Sequence, residues 1–320
     1  FMSRCLGYFL KNETRKVTVL VATSGDTGGA VANGFYDVEG IEVVILYPKN
    51  RVSPVQEKQL TALGKNIHAL EVNGSFDDCQ ALVKQAFSDE SLNEKLLLTS
   101  ANSINVARWL PQQIYYVLAL KQWLKIHSEN PVICVPSGNF GNICAGILAH
   151  HRGLPVEHFI AACNVNDVVP EYLRTEILQP KETVATISNA MDVGDPSNFV
   201  RILELFNKEF NQVKNKLSGY TIDDEETLKT IERVEKDYGY VLDPHGAVAF
   251  VALEKYLAEN GGKGFFLETA HPVKFPDSVE QATGKSVEIP KSLEELMKQE
   301  KFTTEINPQY EELKGFLLKK

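Results

Sequence analysis

The chain has 320 residues, 43% of them hydrophobic and 23% charged, with 33 basic against 42 acidic side chains and a formal net charge of -9. That length supports a sizeable core and two domains, and the composition is that of an ordinary globular protein. An acidic balance with no basic run longer than Lys319-Lys320 argues against nucleic acid or an anionic membrane surface as partner, and no apolar segment approaches the ~20 residues that cross a bilayer.

The five cysteines, Cys5, Cys79, Cys134, Cys144 and Cys163, have neither metal-ligand spacing nor the density of a disulfide scaffold. Reduced thiols of a cytosolic protein are therefore expected. Cys144 lies beside a glycine-rich turn, where a nucleophile is conceivable, but no histidine sits near it in sequence to act as base. The chain opens on Phe1-Met2-Ser3-Arg4-Cys5-Leu6, an amphipathic helical pattern without an N-cap signal, and the expectation is that residues before Phe1 have been lost.

Residues 16–22 form a β-branched run that ends in the turn Thr23-Ser24-Gly25-Asp26-Thr27-Gly28, and a helical pattern covers 28–36. A strand over 42–47, a helix over 54–63, a strand over 67–72, a helix over 77–87 and a strand over 95–100 follow. These strands are continuous apolar runs, the pattern of a parallel sheet covered on both faces. A long helix over 106–126 leads to the run 132–136 and a second glycine turn, Ser137-Gly138-Asn139-Phe140-Gly141-Asn142. Helix 143–152, strand 158–163 and helix 168–174 continue the alternation; 188–197 reads as loop and 199–217 as helix. Asp223-Asp224-Glu225-Glu226 opens a further helix, where the dipole favours negative charge. Leu242-Asp243-Pro244-His245-Gly246-Ala247 opens another, and strand 264–269 runs into Ala270-His271-Pro272-Val273-Lys274-Phe275.

The fold class expected is α/β with two parallel-sheet lobes, a smaller one over 1–105 and a larger one over 106–320, with a cleft between them. Open α/β sheets bind ligands at the carboxyl ends of their strands. Four polar segments sit there: the two glycine turns, Asn102-Ser103-Ile104-Asn105, and the segment from Thr269. Glycines let main chain approach a ligand, and the first N–H groups of a helix favour an anion such as phosphate. For each turn, a connection that binds nothing is the alternative.

In this order and at these strand ends, the segment Thr23 to Gly28, Asn102-Ser103-Ile104-Asn105 with Arg108, the segment Ser137 to Asn142, and Thr269-Ala270-His271-Pro272 with Lys274-Phe275 resemble the threonine synthase family. The resemblance implies the fold of tryptophan-synthase-β-like (fold-type-II) enzymes and a pyridoxal 5'-phosphate cofactor. It also implies conversion of O-phosphohomoserine and water to threonine and phosphate, the final step of threonine biosynthesis. Carried over by position, Ser137, Gly138, Asn139, Phe140, Gly141 and Asn142 would hold the cofactor phosphate, and Thr269 would offer its hydroxyl to the pyridine nitrogen. Ser24, Gly25, Asp26 and Thr27 would face the substrate carboxylate, although Asp26 stands where related enzymes often have asparagine. Ser103, Asn105, Arg108 and Lys274 would receive the substrate phosphate. His245 and His271 are candidates to move protons.

In that family the lysine that carries the cofactor as a Schiff base lies in an Ala-Phe-Lys-Asp segment, and Phe1-Met2 looks like its continuation. The lysine is thus expected to be absent from this sequence, since neither Lys263 nor Lys274 has those flanks. The chain alone is expected to be inactive. Other readings are a threonine dehydratase or cysteine synthase, which need no second phosphate pocket, and a non-catalytic homologue or fragment. A dinucleotide enzyme is disfavoured, because neither turn spells GxGxxG and Asp37 lies too close to the first. An oligomer is possible.

Overall fold

The computed structural model describes residues 1–11, 13, 16–23 and 25–319. Nine strands are found among them: β1 Val17–Ala22, β2 Ile41–Pro48, β3 Ile67–Val72, β4 Leu97–Thr99, β5 Val132–Pro136, β6 His158–Cys163, β7 Leu217–Thr221, β8 Gly264–Phe266 and β9 Thr303–Ile306. The chain divides into two compact units, residues 1–108 with 289–320, and residues 109–288.

The first unit is built on a sheet of order β4-β1-β2-β3-β9, every pair parallel. All six residues of β1 are buried. Its alternate residues supply both faces: Val17, Val19 and Val21 pack with Val31 and Phe35 on one side, Leu20 and Ala22 with Leu82 and Leu92 on the other. A period of two with both faces apolar is what makes the run look unpatterned in sequence. The second unit repeats this with the order β7-β6-β5-β8, again all parallel. Ile133 and Val135 pack against Ile143 and Phe159, while Val132 and Cys134 pack against Val248 and Ala252.

Chain order reverses direction once among β1–β4 and once among β5–β8, and β9 later joins the far edge of the first sheet beside β3. The chain winds outward from β1 through β2 and β3, then returns to place β4 on the other side of β1. It winds from β5 to β6 and β7, then returns to place β8 beside β5. A reversal of this kind leaves room between the loops of the two strands that flank it, because their connections depart to opposite faces.

Four sequence expectations are corrected here. The expected helix 106–126 is two, Val106–Trp109 and Gln113–Trp123. Pro111 lies in the gap, where it lacks the N–H a continuous helix needs. The expected helix 199–217 is Phe199–Leu205 and Phe210–Lys216, separated where Asn207 and Lys208 take left-handed backbone, and Leu217 begins β7. Strand β8 stops at Phe266 instead of 269. The segment from Ile289 onward, assigned by sequence to the lobe 106–320, belongs to the first unit, because β9 pairs with β3. Both β7 and β9 are short edge strands whose outward residues are polar, so no apolar run marks them.

Thr23, which is buried, ties off the end of β1. Its Oγ1 accepts from the Gly25 and Gly28 N–H groups, each at 2.9 Å. Thr23→Val preserves shape while leaving both donors without a partner, so urea unfolding is expected to show a loss of about 1–3 kcal/mol.

Candidate active site

At the tip of β5 the chain must stop pairing and open a helix within five residues. Ser137 makes the last ladder contact, its N–H donating to the Ala162 carbonyl at 2.8 Å and its hydroxyl to Val135 O at 2.9 Å. Phe140 then takes left-handed backbone (φ 60°) as the residue before the helix Gly141–His151. Gly138 is required for a different reason: a Cβ there would lie 2.5 Å from Met191 Cα and 3.0 Å from the Ala190 carbonyl. The loop is thus pressed against the 188–191 turn from behind.

The loop is braced from the sides as well. Asn139 Oδ1 accepts from the Ser197 N–H at 2.7 Å and hydroxyl at 2.8 Å, and the Asn139 carbonyl accepts from Asn198 Nδ2 at 2.9 Å. The buried Tyr116 hydroxyl reaches Asn142 O at 2.9 Å and Oδ1 at 2.8 Å. The main-chain N–H groups of Gly138, Phe140, Gly141 and Asn142 find no acceptor among the described residues. Donors held by a fixed loop at a helix N-terminus form an anion cradle, and a monoester phosphate suits it.

Beside β5 runs β8, and Thr269 stands just past its end, exposed. The Ser137 loop and Thr269 therefore flank the reversal point of the second sheet. Behind them is a polar group that sequence reasoning passed over. Asp243, fully buried, caps the helix Pro244–Asn260 and accepts from the His245 N–H at 2.9 Å and from Nδ1 at 2.6 Å. His245 Nε2 accepts from the Ala190 N–H at 3.2 Å, which fixes the neutral tautomer with its proton on Nδ1. Glu268 Oε1 accepts from the Asp243 N–H at 3.2 Å. Burial, then the facing Asp243, push the Glu268 carboxyl up to about 8. Burial would also raise Asp243, but its bonds from His245 outweigh that and hold it low. The only sequence-level hint was the Asp-Pro start of a helix.

The first sheet presents a comparable arrangement at its own reversal point. The loop after β1 and the segment after β4 are tied together by Asn102, whose Nδ2 donates to Ala22 O at 2.8 Å. Gly25 (φ 134°) precedes the helix Asp26–Phe35. Asp26, the residue out of keeping with a carboxylate site, accepts from Gln56 Nε2 at 3.1 Å. Thr27 is half-buried in the first turn. Ser24 lies outside the described residues.

Arg108 closes the segment after β4. Its guanidinium donates to the Ala101 carbonyl and meets no carboxylate among the described residues, and burial lowers its pKa. Most of its donors remain available in a desolvated position, which suits an anion presenting several oxygens. Asn105 shapes the loop: its Nδ2 donates to Ser100 O at 2.7 Å and its Oδ1 accepts from the Ala107 N–H at 3.0 Å, which leaves its second Nδ2 hydrogen over. Ser103 is half-buried in the same segment.

Three other candidates fare as follows. Both nitrogens of His245 are occupied inside the core, so it is a brace and not a proton carrier. His271 is exposed, and its Nδ1 accepts from the Val273 N–H at 3.1 Å as the cap of the turn Pro272–Lys274, which ends with the half-buried Lys274. Burial pushes the Cys144 thiol up to about 11, against a nucleophilic role. No group of three or more acidic, histidine or cysteine side chains among the described residues is arranged to hold a metal ion, and no helix among them is long and apolar enough to cross a membrane.

Comparison with known proteins identifies the family. Residues 2–265 match the family described as pyridoxal-phosphate dependent enzyme, and residues 246–317 match the family threonine synthase, C-terminal. Threonine synthase of Buchnera aphidicola is 45% identical over 320 residues, 100% of this chain and 74% of that protein. The crystal structure of threonine synthase from Escherichia coli superposes with a TM-score of 0.90 at 45% identity, covering 100% of this chain and 74% of that one. PLP-bound threonine synthase from Brucella melitensis gives a TM-score of 0.91 at 34% identity, covering 99% and 73%. By whole-length sequence and fold, the chain belongs to the threonine synthases within the pyridoxal-phosphate dependent enzymes.

Proposed function

We propose that the protein converts O-phospho-L-homoserine and water to L-threonine and inorganic phosphate. The supporting observation is that two phosphate-grade donor sets occur, each at the reversal point of its own sheet. One is the amide cradle of Gly138 to Asn142. The other is Arg108, desolvated and without an acidic partner among the described residues. A threonine dehydratase or a cysteine synthase substrate carries no phosphate for a second set to meet, so Arg108 favours the phosphorylated substrate.

In this reading Ser137, Gly138, Asn139, Phe140, Gly141 and Asn142 hold the cofactor phosphate, and Thr269 donates its hydroxyl to the pyridine nitrogen. When bound, pyridoxal phosphate supplies an electron sink for carbanionic centres on the substrate. A hydroxyl partner leaves the ring nitrogen unprotonated, so that sink is weaker than one facing a carboxylate. Thr27 with the Gly25 turn receives the substrate carboxylate, while Arg108 and Ser103 receive its phosphate. Arg108 also stabilises the phosphate as it leaves, because charge on the leaving oxygen grows as the bond breaks. The five free thiols, four of them buried, suit a reducing compartment, and the reaction is placed in the cytoplasm.

No lysine among these 320 residues has the family's Ala-Phe-Lys-Asp context. The 320-residue chain by itself is therefore proposed to bind the cofactor without a covalent link and not to turn over. Borohydride treatment of the chain with pyridoxal phosphate, followed by peptide mass mapping, is expected to find no single lysine carrying the cofactor; one stoichiometrically labelled lysine would contradict this.

Phosphate release from O-phosphohomoserine by the full-length gene product tests the reaction directly. Arg108→Ala is expected to lower kcat/KM by roughly a hundredfold, as for loss of a desolvated charge partner. Arg108→Lys recovers only part of this, since an ammonium lacks the planar fork. Gly138→Ala is expected to weaken pyridoxal phosphate binding about tenfold, because its Cβ forces the cradle off the 188–191 turn. Fluorescence titration with the cofactor measures it.

A further inference from the structure

The cofactor reading leaves one buried feature unexplained. Glu268 Oε2 and Asp243 Oδ2 are both shielded from solvent, and neither finds a hydrogen-bond donor among the described residues. The two side chains are nonetheless within hydrogen-bond contact of each other. Two ionised carboxylates in that position would repel, and each buried oxygen would forfeit its hydration without compensation. One proton removes both problems.

Which group holds the proton follows from the surroundings. Asp243 sits at the N-terminus of the helix Pro244–Asn260 and accepts two N–H bonds from His245, conditions that favour the anion. Glu268 accepts one, from the Asp243 main chain. The carbon at residue 246 is constrained to match: a Cβ on Gly246 would fall 1.9 Å from Glu268 Oε2.

We propose that Glu268 is a neutral carboxylic acid that donates from Oε2 to Asp243 Oδ2, and that it acts as a positioning residue for the cofactor site. The proton completes an unbroken chain, Glu268 to Asp243 to His245 to the Ala190 N–H, with Ala190 and Met191 backing Gly138. One end of that chain is the residue before Thr269, and the other is the rear wall of the phosphate cradle. The carboxylic acid thereby couples the two segments that contact opposite ends of the cofactor. This rests on the cofactor reading above for its purpose, though not for the protonation itself.

The titratable groups that face Glu268 are Asp243 and, through it, His245 on the helix start, with Tyr240 on the loop before them. Burial, and then both carboxyls, hold the Tyr240 proton more tightly. Strand β5 offers a carbonyl, from Cys134 to the Leu267 N–H. The Glu268 carboxyl titrates near 8 in the folded chain and at about 4.3 in the unfolded one. Between those values the folded state carries the extra proton, so its stabilising effect is complete below the lower value and is lost as pH rises through the higher.

The test uses the full chain and three variants, Glu268→Gln, Glu268→Ala and Thr269→Val. Infrared difference spectra are expected to show a protonated carboxyl in the wild type at pH 7, lost above pH 8 and absent from Glu268→Gln. Added pyridoxal phosphate should raise the melting temperature of the wild type and of Glu268→Gln alike at pH 7, because the amide still donates to Asp243. Above pH 8 only Glu268→Gln should keep the full shift. Glu268→Ala is expected to bind the cofactor roughly tenfold more weakly.

No protonated carboxyl at pH 7 overturns the proposal, and would be the outcome if an ordered water donated to both carboxylates instead. A protonated carboxyl with unchanged cofactor affinity in Glu268→Ala overturns the positioning role. Thr269→Val reports separately on the ring contact, so its result distinguishes failure of the cofactor reading from failure of the proton bridge.

Discussion

Parallel pairing is the constraint from which the rest of the molecule follows. When every strand of a sheet runs the same way, all of its carboxyl ends share one edge, and so do the loops that leave them. The two reversal points, β1 beside β4 and β5 beside β8, then select where neighbouring loops diverge enough to admit a ligand. Every segment to which a cofactor or substrate role is assigned here follows β1, β4, β5 or β8. The central strands β1 and β5, apolar on both faces, contribute burial and position but no chemistry.

What turns a permissive edge into a specific one is the way each loop is held. Main-chain amides cannot be aimed by rotating a side chain, so the cradle after β5 depends on neighbours that fix the loop: Met191 and Ala190 behind it, Ser197 and Asn198 beside it, Tyr116 beneath the first helical turn. The loop after β1 is fixed in the same manner by Thr23 from within and Asn102 from the next strand end. Buried polar side chains of this kind contribute little net stability but impose one geometry, because any other arrangement leaves a donor or acceptor unsatisfied. The donors that meet no acceptor among the described residues, four amides and most of the Arg108 guanidinium, are what the bracing leaves over.

Much of this was legible in the sequence, for identifiable reasons. The apolar runs 132–136 and 158–163 appear as β5 and β6, and 16–22 contains β1, because continuous apolar segments bounded by glycine turns leave few alternatives. The short edge strands β7 and β9 were not legible, since Leu217-Ser218-Gly219-Tyr220-Thr221 and Thr303-Thr304-Glu305-Ile306 bury little and carry polar residues outward. The return of 289–320 to the first sheet is a long-range pairing that no local pattern announces. In the site, the loop motifs were visible because glycine has few other reasons to cluster after a strand. Glu268 and Asp243 were not, since their significance lies in being brought together from positions far apart in sequence. Asn105 was visible, and each end of its amide also makes a bond that shapes the loop, which its type alone does not announce.

The central claim is that the two reversal points carry two separate phosphate sites, one for the cofactor and one for the leaving group. A crystal structure of the full-length protein with pyridoxal phosphate and a non-hydrolysable phosphonate analogue of O-phosphohomoserine tests it most directly. The account expects the cofactor phosphate on the amides of Gly138 to Asn142 and the phosphonate on Arg108. A phosphonate bound without contact to Arg108, or a cofactor phosphate held anywhere but that cradle, would contradict it.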